Sequence, residues 1–187
     1  MPITEAEAQS ILDNLNIPQE DWINPKIEVR KSSLGGNGMF AKEKIEEGEI
    51  VVIWGGTAQN VFIEEEIKHS KARKSSSIAL EDGIYLAGNP DVEEDSDFLN
   101  HSCDSNLWMI DAIRLTARRN IGEGEELTVD YALFQTGAYV SEWECGCGAV
   151  DCRKRITGQD WKIPEVQKRY NGHFSPFLNR KIERQKG

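Results

Sequence analysis

Apolar positions along this chain follow two periods, and the change comes near residue 26. Ala8, Ile11, Leu12 and Leu15 recur at helical spacing within residues 4–16. Thr4 and Glu7 stand three apart at the start of that run, the pattern of a reciprocal capping box. An amphipathic N-terminal helix packed on the domain behind it is expected, then a connector bracketed by Pro18 and Pro25. From Ile27 the period is two: Ile27 and Val29 alternate with Lys26, Glu28 and Arg30, which predicts a strand. Two similar phrases, Ile45-Glu46-Glu47-Gly48-Glu49 and Ile121-Gly122-Glu123-Gly124-Glu125, each lead into an apolar run and read as turns feeding buried strands. They are too short to indicate a repeat architecture. Residues 60–74 are helix-compatible and end in a basic, serine-rich stretch, and residues 89–97 are acidic and loop-like. Ile78-Ala79-Leu80 and Ile84-Tyr85-Leu86 flank Glu81-Asp82-Gly83 and predict a hairpin. Ile113, Leu115 and Ala117 alternate with polar residues in a further strand. Trp161, Tyr170, Phe174 and Phe177 require a docked C-terminal tail, since four exposed rings would be a liability. One or two short helices are expected there, broken near Asn171-Gly172 and Pro176. The chain thus reads as mainly β, with an N-terminal helix and short C-terminal helices.

Composition narrows the function. At 187 residues, one core domain with small appendages is expected. The net charge of -10 disfavours direct nucleic-acid binding and favours a basic protein or peptide partner. No apolar run approaches the ~20 residues of a membrane span. Met1 to Ser10 lacks the apolar segment of a secretory signal, so an intracellular protein is expected, with cytoplasm and nucleus indistinguishable. In a reducing compartment four cysteines point to metal ligation rather than disulfides.

Those cysteines carry the clearest chemistry. Cys145-x-Cys147-x4-Cys152 is rich in glycine, which lets the backbone wrap an ion, and Cys103 supplies the fourth sulfur. Four thiolates with no open position describe a structural zinc site. Such a site would tie residue 103 to residues 145–152 and pin the tail against Asn100-His101. Cys103 beside His101 invites a nucleophilic reading, but Cys103 is needed to complete the metal set. The glycine-rich stretch Leu34 to Ala41 would let a ligand approach the backbone closely. It does not fit a phosphate loop, because no Gly-Lys-Ser/Thr follows.

Gly36-Asn37-Gly38, Asn100-His101-Ser102-Cys103, Glu126-Leu127-Thr128-x-Asp130-Tyr131 and the three later cysteines occur in the order found in one family. Over about residues 27–158 the chain resembles SET-domain protein lysine methyltransferases with a post-SET zinc motif. The resemblance implies small sheets in which the last core segment threads under a preceding loop, an exception to the usual rule. It implies an N-terminal helical extension (1–25), the SET domain (26–137), a zinc-binding post-SET segment (138–158) and a docked tail (159–187). It further implies S-adenosylmethionine as methyl donor and a lysine of a basic, histone-like tail as acceptor. Gly36, Asn37, Gly38 and Met39 would line the cofactor through the backbone. Asn100 and His101 would hydrogen-bond it, His101 near the adenine, and Ile156 or Trp161 would cover it. Tyr131 would stand at the point of methyl transfer. Trp54 and Val129 would shape the lysine channel, although the family usually carries Tyr at the first and Phe or Tyr at the second. Asp97 and Ser105 also replace the usual Arg and Pro. These departures leave the number of methyls open, and with it a second reading: a weak or inactive SET-fold module that binds a basic peptide. Ala72-Arg73-Lys74-Ser75 is similar to a histone-tail context, which marks Lys74 as a candidate for self-methylation.

Overall fold

The computed structural model describes residues 2–69, 77–88, 93–137 and 139–186, so Lys74 lies outside the described residues. Helix α1 (Glu5–Leu15) starts at the capping box read from the sequence: Thr4 Oγ1 accepts from Glu7 N–H at 3.3 Å, and Glu7 Oε2 accepts from Thr4 N–H at 2.9 Å. Asn16 ends the helix in the left-handed conformation. Ala8 and Leu12 are its buried residues, and the helix packs against a 3-10 turn at Ala58–Asn60.

Strands β1 (Trp22–Ile23), β2 (Ile27–Lys31), β3 (Asn37–Ala41) and β4 (Ile50–Ile53) come next. Strand β5 (Val61–Ile63) is followed by the one-turn helix α2 (Glu64–Lys68). Here the structure departs from the helical expectation for residues 60–74. The three apolar residues Val61 to Ile63 pair with a later strand, and that non-local pairing overrides local propensity. The expected hairpin is β6 (Ser77–Glu81) and β7 (Ile84–Ala87), which with β5 forms a small sheet in the order β5-β7-β6.

The larger sheet is completed by β8 (Asn100–His101), β9 (Leu107–Met109), β10 (Arg114–Ala117) and β11 (Glu126–Val129). Its order is β1-β4-β10-β9-β11-β3-β2, with β8 also on β11. Strand β11 is the hub. It runs antiparallel to β3, with Leu127 opposite Met39, and parallel to β8, with Thr128 opposite Asn100 and Val129 opposite His101. Leu127 and Val129 are wholly buried, so a one-residue slip would turn both out of the core. The register therefore fixes where Asn100, His101 and the following Tyr131 stand.

The two echoed phrases meet. Ile45 and Ile121 exchange backbone hydrogen bonds of 3.0 and 2.9 Å, and both are fully buried. Gly48 (φ +82°) and Gly124 (φ +79°) make the matching left-handed turns that feed β4 and β11.

The tail docks as its aromatics require. Helices α3 (Pro164–Arg169) and α4 (Pro176–Lys186) flank a break at Gly172 (φ +81°). Tyr170, Phe174, Phe177, Leu178 and Ile182 join the main core, and the His173 ring stacks on Trp108 at 3.4 Å. Ser175 N–H donates to the Leu133 carbonyl at 2.8 Å, tying the tail to the turn that holds Tyr131. Among the described residues no helix is long and apolar enough to cross a membrane.

Candidate functional site

Cys103, Cys145, Cys147 and Cys152 converge, with all four sulfur atoms within 4.8 Å of one another. Sulfurs at ~2.3 Å from a tetrahedral ion stand about 3.8 Å apart, so a small contraction would close the set on a metal. Burial pushes the Cys103 and Cys145 thiols up, Cys145 to about 12. Burial acts the same way on Cys147, but hydrogen bonds from the Ala149 and Cys103 backbone and from the Cys145 and Cys152 thiols together outweigh it and bring that thiol down to about 7. Sulfurs packed this closely cannot all ionise without a cation among them. The donor set and its spacing thus fit a closed tetrathiolate metal site.

The cluster is wired to the end of β11. His101 Nδ1 accepts from the Tyr131 N–H at 3.2 Å, which leaves the ring proton on Nε2, 3.3 Å from Cys103 Sγ. Burial, and then the charge of Arg153, push the imidazole down to about 3, so it stays neutral. Its 3.8 Å approach to Asp130 is therefore not an ion pair. With both ring nitrogens engaged, any hydrogen bond from His101 to a cofactor comes from its main chain rather than its ring.

Arg153 holds Asp130 in a two-pronged pair, at 2.8 and 2.6 Å. The Asp130 side chain is wholly buried, that of Arg153 11% exposed. Arg153 Nε also lies 2.9 Å from Asp160 Oδ2, but the alignment is poor and neither atom is hydrogen-bonded there. The two aspartates hold the guanidinium firmly in its charged form. Arg153 follows Cys152 and Asp130 precedes Tyr131, so the pair fastens the cysteine segment to the end of the hub strand. Arg153→Met would strand Asp130 as an unpaired buried charge, and we expect a loss of roughly 3–5 kcal/mol, read as a lower denaturant midpoint.

Tyr131 opens the 3-10 turn Tyr131–Leu133 and lines a cavity of about 550 Å³. Its hydroxyl donates to the Leu99 carbonyl at 2.9 Å, and burial raises its pKa, so the phenol stays protonated. Trp54 and Val129 line the same cavity, together with Leu99 and Phe134. Trp54 meets Phe134 edge-on at 5.3 Å. The rim carries Glu20, Asp21, Glu94 and Asp97. The connector after α1 therefore forms part of the wall, which the sequence pattern did not indicate.

On the other side of β11, Asn100 Nδ2 donates to the Asn37 carbonyl at 2.9 Å and to Glu126 Oε1 at 2.8 Å. Ser32 Oγ donates to the same carboxylate at 2.7 Å. A Cβ on Gly38 would sit 2.3 Å from Glu126 Oε1 and 2.9 Å from Asn100 Nδ2, so glycine lets these two side chains close on the main chain here. Gly36, at φ +59°, turns the chain into this cluster. Met39 lies deeper, paired on both sides by β2 and β11 with its side chain fully buried, and belongs to the sheet interior. Ile156 is fully buried against Cys103 and Cys145, and Trp161 is 5% exposed in the main core. Neither residue expected to cover a cofactor presents an open face. Trp143 does: it is 45% exposed, with its ring 6.0 Å from His101 and 6.3 Å from Tyr131. Its loop is held by Ser141, whose hydroxyl donates to the Trp143 carbonyl at 2.9 Å and accepts from Ile156 N–H at 3.1 Å.

Comparison with known proteins places these residues in context. The family model for the SET domain matches residues 36–132. The chain is 32% identical over 143 residues to histone-lysine N-methyltransferase ASHH3 of Arabidopsis thaliana, covering 70% of this chain and 38% of that protein. It is 29% identical over 187 residues to histone-lysine N-methyltransferase ash1 of Drosophila melanogaster, covering 90% of this chain and 8% of that one. The chain thus spans well under half the length of these curated relatives. The solved methyltransferase domain of human histone-lysine N-methyltransferase SETMAR shares the fold, with a TM-score of 0.52 and 23% identity over 71% of this chain and 58% of that one. The matched segment contains Gly38, Asn100, Cys103 and Tyr131; Cys145 to Cys152, the connector and the tail lie outside it.

Proposed function

We propose, because this chain belongs to the SET-domain family, that it transfers a methyl group from S-adenosylmethionine to a lysine side chain of a basic protein. The observation that carries this reading is the position of Tyr131. With Trp54, Leu99, Val129 and Phe134 it lines an acidic-rimmed cavity at the end of the strand whose other neighbours are the glycine strand and Asn100-His101. Relatives named for histone-lysine methylation make histone tails the first substrate to test, and with them the nucleus the place of action.

The donor, when bound, supplies an activated methyl group. The polar cluster of Asn37, Asn100, Glu126 and Ser32 around Gly38 would hold its polar end. The protein's own work lies in desolvation and alignment. A free lysine has a pKa of ~10.4; the carboxylates Glu20, Asp21, Glu94 and Asp97 attract its ammonium form, and Trp54, Leu99, Val129 and Phe134 beside Tyr131 disfavour it. Tyr131 O–H donates its hydrogen bond to the Leu99 carbonyl, so its oxygen lone pairs are free to accept from the lysine amine and to fix its direction of approach. Holding reactants in line can remove several kcal/mol of barrier.

We assign zinc to the four-sulfur site, because a closed sulfur cage suits that ion and a structural role. It would tie the β8 loop to residues 145–152 and so set the loop that carries Trp143. We assign Trp143 to the aromatic cover of the nucleoside, in place of Ile156 or Trp161. Trp143→Ala should weaken S-adenosylmethionine binding by about tenfold, the worth of one stacked ring. Calorimetry reads this directly, and zinc content should not change.

The test of function is incubation with methyl-labelled S-adenosylmethionine and a mixture of basic proteins, followed by mapping of the label to lysine. The residues at Trp54 and Val129 sustain the second reading, a module that binds a basic peptide without turnover. Cofactor binding and tight peptide binding with no incorporated label would favour that module over the enzyme.

A further inference from the structure

Arg169, the last residue of α3, lies outside both the matched family segment and the cysteine run. Its guanidinium donates through Nη1 to the Cys103 carbonyl and pairs through Nη2 with the Asp151 carboxylate. Cys103 and Asp151 belong to the two chain segments that supply the sulfur cluster, and Asp151 directly precedes Cys152. One planar fork therefore spans both halves of the site. The neighbouring Tyr170, fully buried, reinforces the same loop: its hydroxyl accepts from Ser105 N–H at 3.2 Å and donates to the Cys103 carbonyl at 3.4 Å.

We infer that Arg169 is a positioning residue of the metal site, an outer clasp by which the C-terminal tail holds the four sulfurs at metal-binding distance. The inference rests on the zinc assignment above. A surface ion pair to Asp151 alone would contribute little. The second prong on the Cys103 carbonyl is what joins the two segments, and it requires the two-donor geometry of arginine. The positive charge also stands beside a cage that is net negative once four thiolates surround a divalent ion. Partners outside the ligand set typically change metal affinity by about 10–100-fold when removed.

The test uses the full chain loaded with zinc and titrated with a chromophoric chelator. Arg169→Met should bind zinc about 10–100-fold more weakly than wild type. Asp151→Asn, a change at an exposed residue, should show part of that loss, and the double variant should be no worse than Arg169→Met. Arg169→Lys keeps the charge but not the fork and should fall between. Cobalt-loaded Arg169→Met should show a shifted thiolate-to-metal absorption band, which loss of packing elsewhere would not produce. Unchanged zinc affinity in Arg169→Met, or losses that multiply in the double variant, would overturn the inference while leaving the zinc assignment standing. Wild-type protein that takes up no zinc would overturn both.

Discussion

Tyr131→Phe should slow methyl transfer on the order of 10²–10³-fold while leaving the protein folded and able to bind its cofactor. The substitution deletes one oxygen. The ring keeps its edge-on contact with His101 at 5.1 Å and its neighbours Phe134, Tyr139 and Trp143. The folded state loses one hydrogen bond, to the Leu99 carbonyl, at a cost of about 1 kcal/mol. The reaction loses the group that directs the amine, and a single positioned donor or acceptor in a closed site is worth on the order of 10²–10³-fold in rate. Initial rates with labelled cofactor measure the loss, and calorimetry checks that cofactor affinity holds. Because burial raises the Tyr131 pKa, the wild-type rate should climb with pH as the substrate lysine deprotonates, with no falling limb from Tyr131 in the physiological range. A Tyr131→Phe variant with undiminished turnover would remove Tyr131 from the chemistry.

Cys103→Ala should release the cysteine-bearing segment, residues 139–163, from the core. Cys103 is the cluster sulfur next to β8, and two further contacts depend on that sulfur: His101 Nε2 at 3.3 Å and the Arg153 N–H at 3.4 Å. Arg169 and Tyr170 donate to its carbonyl, which alanine keeps, so the loss falls on the sulfur side alone. Structural zinc in small domains contributes roughly 10–16 kcal/mol, while whole domains are stable by about 5–15 kcal/mol. A loss of that size should unfold the segment that the ion organises, while the sheet keeps its own buried core. Hydrogen exchange should become fast over residues 139–163 and remain slow in β3, β10 and β11. Chelation of wild type should give the same pattern, and unchanged protection in both experiments would refute a metal-built tail.

What the sequence revealed, and what it hid, follows from chain separation. Thr4 and Glu7 act within one helical turn, so the start of α1 was legible. The cysteine spacing was legible because metal ligation imposes chemistry that packing does not. The hub role of β11 was partly legible from the apolar run after Gly124. Its parallel partners β8 and β9 were not, since parallel pairing leaves no local turn signal. The same limit hid Arg153 with Asp130 and Arg169 with Cys103, which are joined only by the fold. Strand β5 was read as helix because Val61 to Ile63 sit beside the helical run Glu64 to Lys68, and the deciding partner, β7, comes more than twenty residues later. His101 was read as a loop residue, whereas it sits in β8 beside β11, and the commitment of its ring depends on the Tyr131 N–H, thirty residues away. Ile156 and Trp161 were candidates for an aromatic or apolar cover on position alone, whereas the proposal of Trp143 rests on its exposure and its place beside His101, which only the packed structure supplies.

The claim on which the rest stands is that one zinc ion, held by all four cysteines, closes the tail over the methyl-transfer site. Native mass spectrometry of the purified chain measures this most directly. One zinc per chain, lost in Cys103→Ala, is the expected result. A metal-free chain whose tail is nonetheless docked would contradict it.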